Sequence, residues 1–562
     1  MKKIFIIALV LCTSLIASAQ VHPTGLTEMT PEVAKVYSNI KRVNIRENAM
    51  MPRAGVAPIT YVDNSATKFF PPVFNQIGNS CAYASGIGYI YNYEYNALNN
   101  LDGKNPENIL NYLQVYAFIN GGKDSGGHAH QGWNFARING VTSKKDGETN
   151  HWREWYSGYE AYYNGMEKGV VDYTKFTSDV GGDILKMKQY LLNKGGKATY
   201  GGLIQFSAWA HPLEPSLYKG THHENCDAMI HHFGNSGMHS MTIVGFDDEV
   251  GFDYDENGTI EGAEMGSFIC CNSWGTSWGS RSGCKTNKGR FYAPYYAFST
   301  LKQSAKNVKY TAVNKGGGTG NGGKECLVLS VKNAKRTLVA KIKMSHSSRN
   351  DIELTFGVSN ILGATKPEHT FTSQFMKHQG GDYTMVSGNS IKYNEIEFGV
   401  NISEFAKYLD NENTTFFVMV KNSPVGIAGS GELISCSIID CRGETPVEYS
   451  SYVDSYKLSG YKIARAITKA GYPKLEVGDV INVLCSVDAE NKKIALNFNA
   501  AVDTPVQVDI IKSGEVVKNL YTKTIKKGKS IEVSDLSSLI GISYTVRIVA
   551  GNRFIYNNFK LK

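Results

Sequence analysis

Towards the end of the chain, apolar and polar residues alternate one by one. Val506, Val508 and Ile510 alternate with Gln507 and Asp509, and Tyr544, Val546 and Ile548 alternate with Thr545 and Arg547. A period of two puts successive side chains on opposite faces, so these runs predict half-buried antiparallel strands. Earlier the pattern is mixed. Small and apolar residues over 81–91 suit a buried helix, and residues 183–193 carry amphipathic helical spacing. Residues 203–206, 241–246 and 267–271 read as strands between glycine-rich turns, and residues 31–46 show weak helical periodicity. A glycine-rich run at 316–323 has few side chains to pack and marks a linker or long loop.

At 562 residues the chain is too long for one core, and 42% apolar with 20% charged residues is ordinary for globular domains. Residues 1–19 read as an export signal: Lys2 and Lys3, an apolar run over 4–11, then Ala17-Ser18-Ala19. No later segment has the roughly 18 uninterrupted apolar residues of a membrane span. The expected destination is secretion or the cell surface, with the periplasm also compatible. The formal charge of +8 includes both signal lysines and forms no dense stripe, which argues against nucleic acid as a partner. Ten cysteines include one in the signal. If one of the rest is a catalytic thiol, an oxidising compartment lets the other eight pair. Cys270 and Cys271 are adjacent in a strand and should point to opposite faces.

Three distant stretches carry chemistry. They are Gln76-Ile77-Gly78-Asn79-Ser80-Cys81, Gly237-Met238-His239-Ser240-Met241, and Asn272-Ser273-Trp274-Gly275-Thr276-Ser277-Trp278-Gly279. A thiol heading a helix feels the positive end of the dipole, which with an imidazolium lowers its pKa. A carboxamide can fix the imidazole's tautomer.

The order Cys, His, Asn and the surrounding residues resemble the papain family of cysteine peptidases. The resemblance implies an α+β fold for residues 66–315, a helical lobe and a β lobe with the cleft between them. It implies Cys81 as nucleophile, His239 as base and acid, Asn272 as orienter, and Gln76 with the Cys81 N–H as oxyanion donors. Trp274 would shield the His–Asn hydrogen bond and border the substrate. Gly126-Gly127, followed by Gly140-Val141, resembles the family stretch where extended substrate pairs with the backbone. Two departures stand out: the family's Cys-Gly-Ser-Cys-Trp is here Gly78-Asn79-Ser80-Cys81-Ala82, and the Gln-to-Cys interval is one residue shorter.

The expected layout is a signal at 1–19, an N-terminal arm or short prosegment at 20–65, and the papain-like two-lobe catalytic domain at 66–315. Two all-β sandwich domains follow at 324–445 and 475–562. The expected activity is exported endopeptidase cleavage of polypeptide through a Cys81 thioester. The rivals are transglutaminase-like acyl transfer and an inactive surface-binding protein that works through its β-domains. Those domains could meet a cell-surface, carbohydrate or protein partner. The final one, through Tyr544–Phe554 and Phe559-Lys560-Leu561-Lys562, resembles C-terminal sorting domains of type IX secretion.

A second constellation points to a metal. Asp253, Asp255, Asn257, Thr259 and Glu264, with Gly258 at the sharp turn, fit the twelve-residue calcium loop. Ca2+ there would be structural, stiffening the hairpin between His239 and Asn272. His222, His223, Glu224, Cys226, His231 and His232 raise zinc, but their spacing fits no usual structural set.

Overall fold

The computed structural model describes residues 22–45, 57–298 and 326–561, except Glu28, 177–179, 212, 214–215, 218–227, 232, 235, 279–287, 362–363, 389–391, 410–413, 424–428, 451, 454–456, 460–462, 470–480, 501–502, 513–514 and 551–552. The expected export signal, the glycine run at 316–323, Gly279, and His222, His223, Glu224, Cys226 and His232 lie outside the described residues. The chain mixes helix and strand and is built on several β-sheets.

Helices gather towards the start. α1 (Pro31–Asn39) begins where the Thr30 hydroxyl accepts the Val33 N–H at 3.3 Å. α2 (Cys81–Tyr83) widens over Ala84–Tyr91 and returns to regular pitch in α3 (Asn92–Asn99). Cys81 through Glu94 are all buried, so this run is the central rod that its small and apolar residues suggest. It stops at Asn100, whose φ of 56° is left-handed. α4 (Tyr112–Ile119), α5 (Ala129–Asn139), α6 (Tyr159–Gly165) and α7 (Val180–Asn193) complete this part.

The strands of the first sheet are β1 (Tyr61–Asp63), β2 (Lys168–Lys175), β3 (Ile204–His211), β4 (Ser216–Leu217), β5 (Ala228–Met229), β6 (Ser236–Asp247), β7 (Ser267–Cys271), β8 (Arg290–Pro294) and β9 (Leu327–Asn333). Their order is β2-β9-β3-β6-β7-β8-β5-β4, with β1 also pairing β6. The rod packs on one face, where the Ser85 hydroxyl donates to the Met241 carbonyl at 3.0 Å. On the other face, Met187 and Leu191 of α7 share a cluster with Phe206 and Phe268.

Cys270 and Cys271 enter these two clusters separately, as strand alternation requires. Both thiols are free, as are those of Cys81 and Cys441. The expected pairing of eight cysteines is therefore corrected. All four are buried, Cys270 in one apolar cluster and Cys271 and Cys441 in the other.

β9 corrects a boundary. Placed by sequence at the head of a second β region starting at 324, it pairs instead with β2 and touches β3. Leu327, Val328 and Leu329 are all buried, and consecutive apolar residues suit an interior strand covered on both faces.

Beyond β9, strands Leu338–His346, Glu395–Asn401 and Ser430–Asp440 pair in one sheet, and Ile352–Ser359, His369–Lys377, Thr415–Asn422 and Ile463–Lys469 in another. Ile342, Ile438, Phe356 and Val418 from the two sheets belong to the same apolar cluster as the rod. Arg349 helps tie the parts together. Its Nη1 donates to the Arg153 carbonyl at 2.6 Å, and its guanidinium lies over Trp155.

The last strands form sheets of three and four with a cluster of their own, including Leu496, Phe498, Val508, Ile510, Val546 and Ile548. Here the alternation misleads. Asp509, Thr545 and Arg547, expected on a wet face, are buried to 1%, 2% and 3% exposure. Asp509 and Arg547 face each other in register, and Arg547 Nη2 donates to Asp509 Oδ2 at 2.7 Å. Asn519 Nδ2 donates to the other carboxylate oxygen at 2.7 Å, so the buried charge is paired and hydrogen-bonded. Among the described residues no helix is long and apolar enough to cross a membrane.

Candidate active site

Cys81 opens the central rod behind Ser80 and is fully buried. β6 runs beside it, and the Ser240 N–H donates to its Sγ at 3.4 Å. The neighbouring residue, His239, is also fully buried, and its Nε2 lies 2.8 Å from Asn272 Oδ1. An amide oxygen only accepts, so Nε2 carries the proton and Nδ1 is left as the basic nitrogen. Buried Nδ1 has no hydrogen-bond partner among the described residues.

Asn272 follows β7 directly. Its N–H donates to the Gly289 carbonyl at 2.9 Å, and its own carbonyl accepts the Tyr89 hydroxyl of the rod at 3.0 Å. Trp274 lies nearly flat on His239, with ring centroids 4.5 Å apart, and shelters the His–Asn bond from water. Trp278 meets Trp274 edge-on.

Gln76 is held from behind. The Ser273 hydroxyl donates to Gln76 Oε1 at 2.6 Å, and the Gln76 N–H donates to the Ser273 carbonyl at 2.7 Å. This fixes which end of the amide is free: Nε2 donates to the carbonyls of Thr24 at 3.1 Å and Gly78 at 3.0 Å. Asp124 pins the loop before Cys81. It accepts the Asn79 N–H at 2.8 Å and the Tyr116 hydroxyl at 2.7 Å, and burial raises its carboxyl pKa. Sequence reasoning missed both supports. Ser273 was visible inside its motif, whereas nothing local marks Asp124.

The chain's own N-terminal segment lies across this site. The His22 ring stacks on Trp274 at 4.6 Å, and Trp274 Nε1 donates to the Pro23 carbonyl at 2.8 Å. The N–H groups of Gly25 and Leu26 both donate to the Met238 carbonyl, at 3.3 and 3.2 Å, and the Gly127 N–H donates to the Gly25 carbonyl at 2.8 Å. Leu26 pairs with Gly127 in parallel. The approach leaves no room for side chains. A Cβ on Gly126 would lie 1.8 Å from the Gly25 oxygen, and one on Gly25 would lie 1.9 Å from the Asn79 oxygen. Gly126 and Gly127 thus border an extended backbone, here one supplied in cis.

Electrostatics follow from this cover. Burial pushes the Cys81 thiol up to about 12, against the opposing N–H groups of Ser240, Ala82 and Leu26. Burial also pulls His239 down to about 4, against the hydrogen bond it donates to Asn272. The expected depressed thiol pKa is therefore corrected for this covered state, where loss of solvent outweighs the helix terminus. Both shifts favour the neutral forms of thiol and imidazole.

The predicted calcium loop spans the turn between β6 and β7. One carboxylate oxygen from each of Asp253, Asp255 and Glu264 lies within 4.8 Å of the others. The Gly258 N–H donates to Asp253 Oδ2 at 2.9 Å, the Thr259 N–H to Asn257 Oδ1 at 2.8 Å, and the Tyr254 N–H to Glu264 Oε1 at 2.7 Å. Buried Tyr254 ties the loop to the body through its hydroxyl, which donates to the His231 carbonyl at 2.7 Å. Three carboxylates and an amide oxygen are a donor set for a hard cation.

No family model matches the chain, and no curated protein matches it. Among solved structures it is similar to a digestive procathepsin L2 proteinase from Tenebrio molitor larval midgut. That likeness has a TM-score of 0.32 and 16% identity, over 55% of this chain and 84% of that one. It is also similar to a Ruminococcus gnavus beta-glucuronidase, with a TM-score of 0.12 and 9% identity, over 40% of this chain and 32% of that one. Scores this low carry no functional argument.

Proposed function

We propose that the chain is an exported cysteine endopeptidase of papain-like type. Its two-lobe catalytic unit is followed by two β-sandwich units that serve anchoring or carbohydrate or protein binding. The observation that carries this reading is the junction at β6: Asn272 orients His239, and the next residue, Ser240, donates its N–H to the Cys81 sulfur.

In the open cleft, His239 Nδ1 takes the thiol proton and Cys81 Sγ attacks the scissile carbonyl carbon. Gln76 Nε2 and the Cys81 N–H hold the oxyanion. The C–N bond breaks, and His239 returns its proton to the departing amine. His239 then draws a proton from water, the hydroxide oxygen bonds to the thioester carbon, and the acid leaves with the thiol restored.

The same reading makes residues 20–65 an inhibitory prosegment. His239 lies against Trp274, so a departing amine leaves on that side. The bound segment presents its N-terminal residues His22 and Pro23 there, the reverse of what cleavage requires. A segment so oriented fills the cleft without being cut. Calcium at Asp253, Asp255, Asn257, Thr259 and Glu264 would bind the β6–β7 hairpin and so stiffen the support of His239 and Asn272.

The deciding experiment is a peptide-library cleavage profile of wild type against Cys81→Ala, with an epoxysuccinyl probe to label the thiol. Cleavage lost in the variant, together with labelling at Cys81, supports the peptidase. Cleavage that persists in Cys81→Ala sinks it.

A further inference from the structure

Three consecutive carbonyls of the covering segment each meet a side-chain donor from the body. Gln76 Nε2 serves Thr24 and Trp274 Nε1 serves Pro23, as described above. The third donor has no part in the reaction just given. His211 Nε2 lies 3.1 Å from the His22 carbonyl oxygen, and because a carbonyl only accepts, this nitrogen donates.

His211 is held for the task. It ends β3 opposite Ser236 of β6, whose hydroxyl donates to the His211 carbonyl at 3.2 Å. A Cβ on Gly237 would lie 2.2 Å from His211 Nδ1, so the ring rests on bare backbone. It stacks at 6.5 Å on the Trp274 indole that also carries His22 and His239.

We propose that His211 is a substrate-binding residue of the leaving-group half of the cleft. Beyond Trp274, its Nε2–H reads a backbone carbonyl of the peptide that departs. The inference rests on the peptidase reading and sharpens it. A donor row built on backbone carbonyls ignores side-chain identity and rewards length. The favoured substrate class is therefore extended polypeptide continuing at least two residues past the cut, in preference to short amides. His211 acts here as a donor of one hydrogen bond. Its loss is worth about fivefold in binding of the segment it holds.

The test has two arms, both on the full chain. The first follows alkylation of Cys81 by iodoacetamide, read by mass spectrometry on the peptide that contains it. His211→Ala loosens the covering segment and speeds labelling about fivefold, and His211→Gln, whose amide reaches a similar place, restores the slow rate. Equal rates in all three proteins overturn the inference, whatever chemistry the site performs.

The second arm compares an acyl anilide that ends at the scissile bond with the same peptide continued by three residues. His211→Ala lowers the ratio of kcat/KM, long over short, about fivefold through KM. A proportional fall on both substrates, or no fall, overturns the substrate role. If wild type cuts neither substrate while the first arm succeeds, the peptidase reading fails and the substrate role falls with it. His211 then stands only as a donor to the covering segment.

Discussion

His239 Nε2 and Asn272 Oδ1 meet 2.8 Å apart, with the His239 ring stacked on the indole of Trp274. The bond holds the imidazole with its basic nitrogen free, so Asn272→Ala leaves the ring free to turn. Steady-state kinetics should show kcat/KM lowered on the order of 10- to 100-fold, the worth of a sheltered hydrogen bond to a charged ring. A variant within twofold of wild type would remove Asn272 from the role of orienter.

Gly25 and Gly126 face each other in the cleft, yet only Gly126 belongs to the body that a substrate would meet. Gly25→Ala should unseat the segment and speed Cys81 alkylation about 5- to 150-fold, since such an overlap costs about 1 to 3 kcal/mol. Peptide hydrolysis should rise with it. Gly126→Ala should also expose the thiol but lower hydrolysis, because the new Cβ meets any extended backbone. Identical behaviour of the two variants would refute this division.

Acid should open the cleft. His239 is held near 4 against its ordinary 6.5, so the covered state binds fewer protons than the open one. The advantage of the covered state is complete above 6.5 and is lost as pH falls towards 4, about 3 kcal/mol in all. His22, lowered by burial and by His211, pulls the same way. Hydrogen exchange at the Leu26 and Gly127 amides, corrected for intrinsic rates, should accelerate between pH 6.5 and pH 4. Unchanged protection across that window would contradict the linkage.

Calcium should raise the melting temperature of the wild type and leave Asp253→Asn with Glu264→Gln unmoved. At a hundredfold excess over Kd the gain is about 2.7 kcal/mol. Calorimetry with calcium and with excess chelator reads it directly, and equal transitions in both would dismiss the site.

The buried pair Asp509 and Arg547 lies in a sheet whose apolar side chains form a cluster separate from that of the rod. Arg547→Ala strands a buried carboxylate and should destabilise the C-terminal sheets by about 3 to 5 kcal/mol. Thermal unfolding should gain an earlier transition while Cys81 alkylation stays unchanged. A single shared transition would mean the two parts unfold together.

What could be read from the chain alone was whatever is written locally. The residues around Cys81, His239 and Asn272 announce themselves because each sits within a short run of small or aromatic neighbours. The acidic loop at 253–264 is legible for the same reason, its carboxylates lying within one turn. Asp124 and His211 stay silent, since their partners are Asn79 and a carbonyl at His22, distant in sequence and ordinary in type. β9 was misplaced because apolar strand pattern does not name the sheet that receives it. Asp509 and Arg547 were misread because alternation takes polar for wet, whereas opposite charges in register can be buried together.

β9 also orders events during synthesis. It lies between β2 and β3, yet its residues come after those of every other strand of that sheet. While a nascent chain is still held in a ribosome short of Asn333, the place between those strands stands empty. Completion of the sheet therefore waits until the polypeptide is well past Cys81, His239 and Asn272.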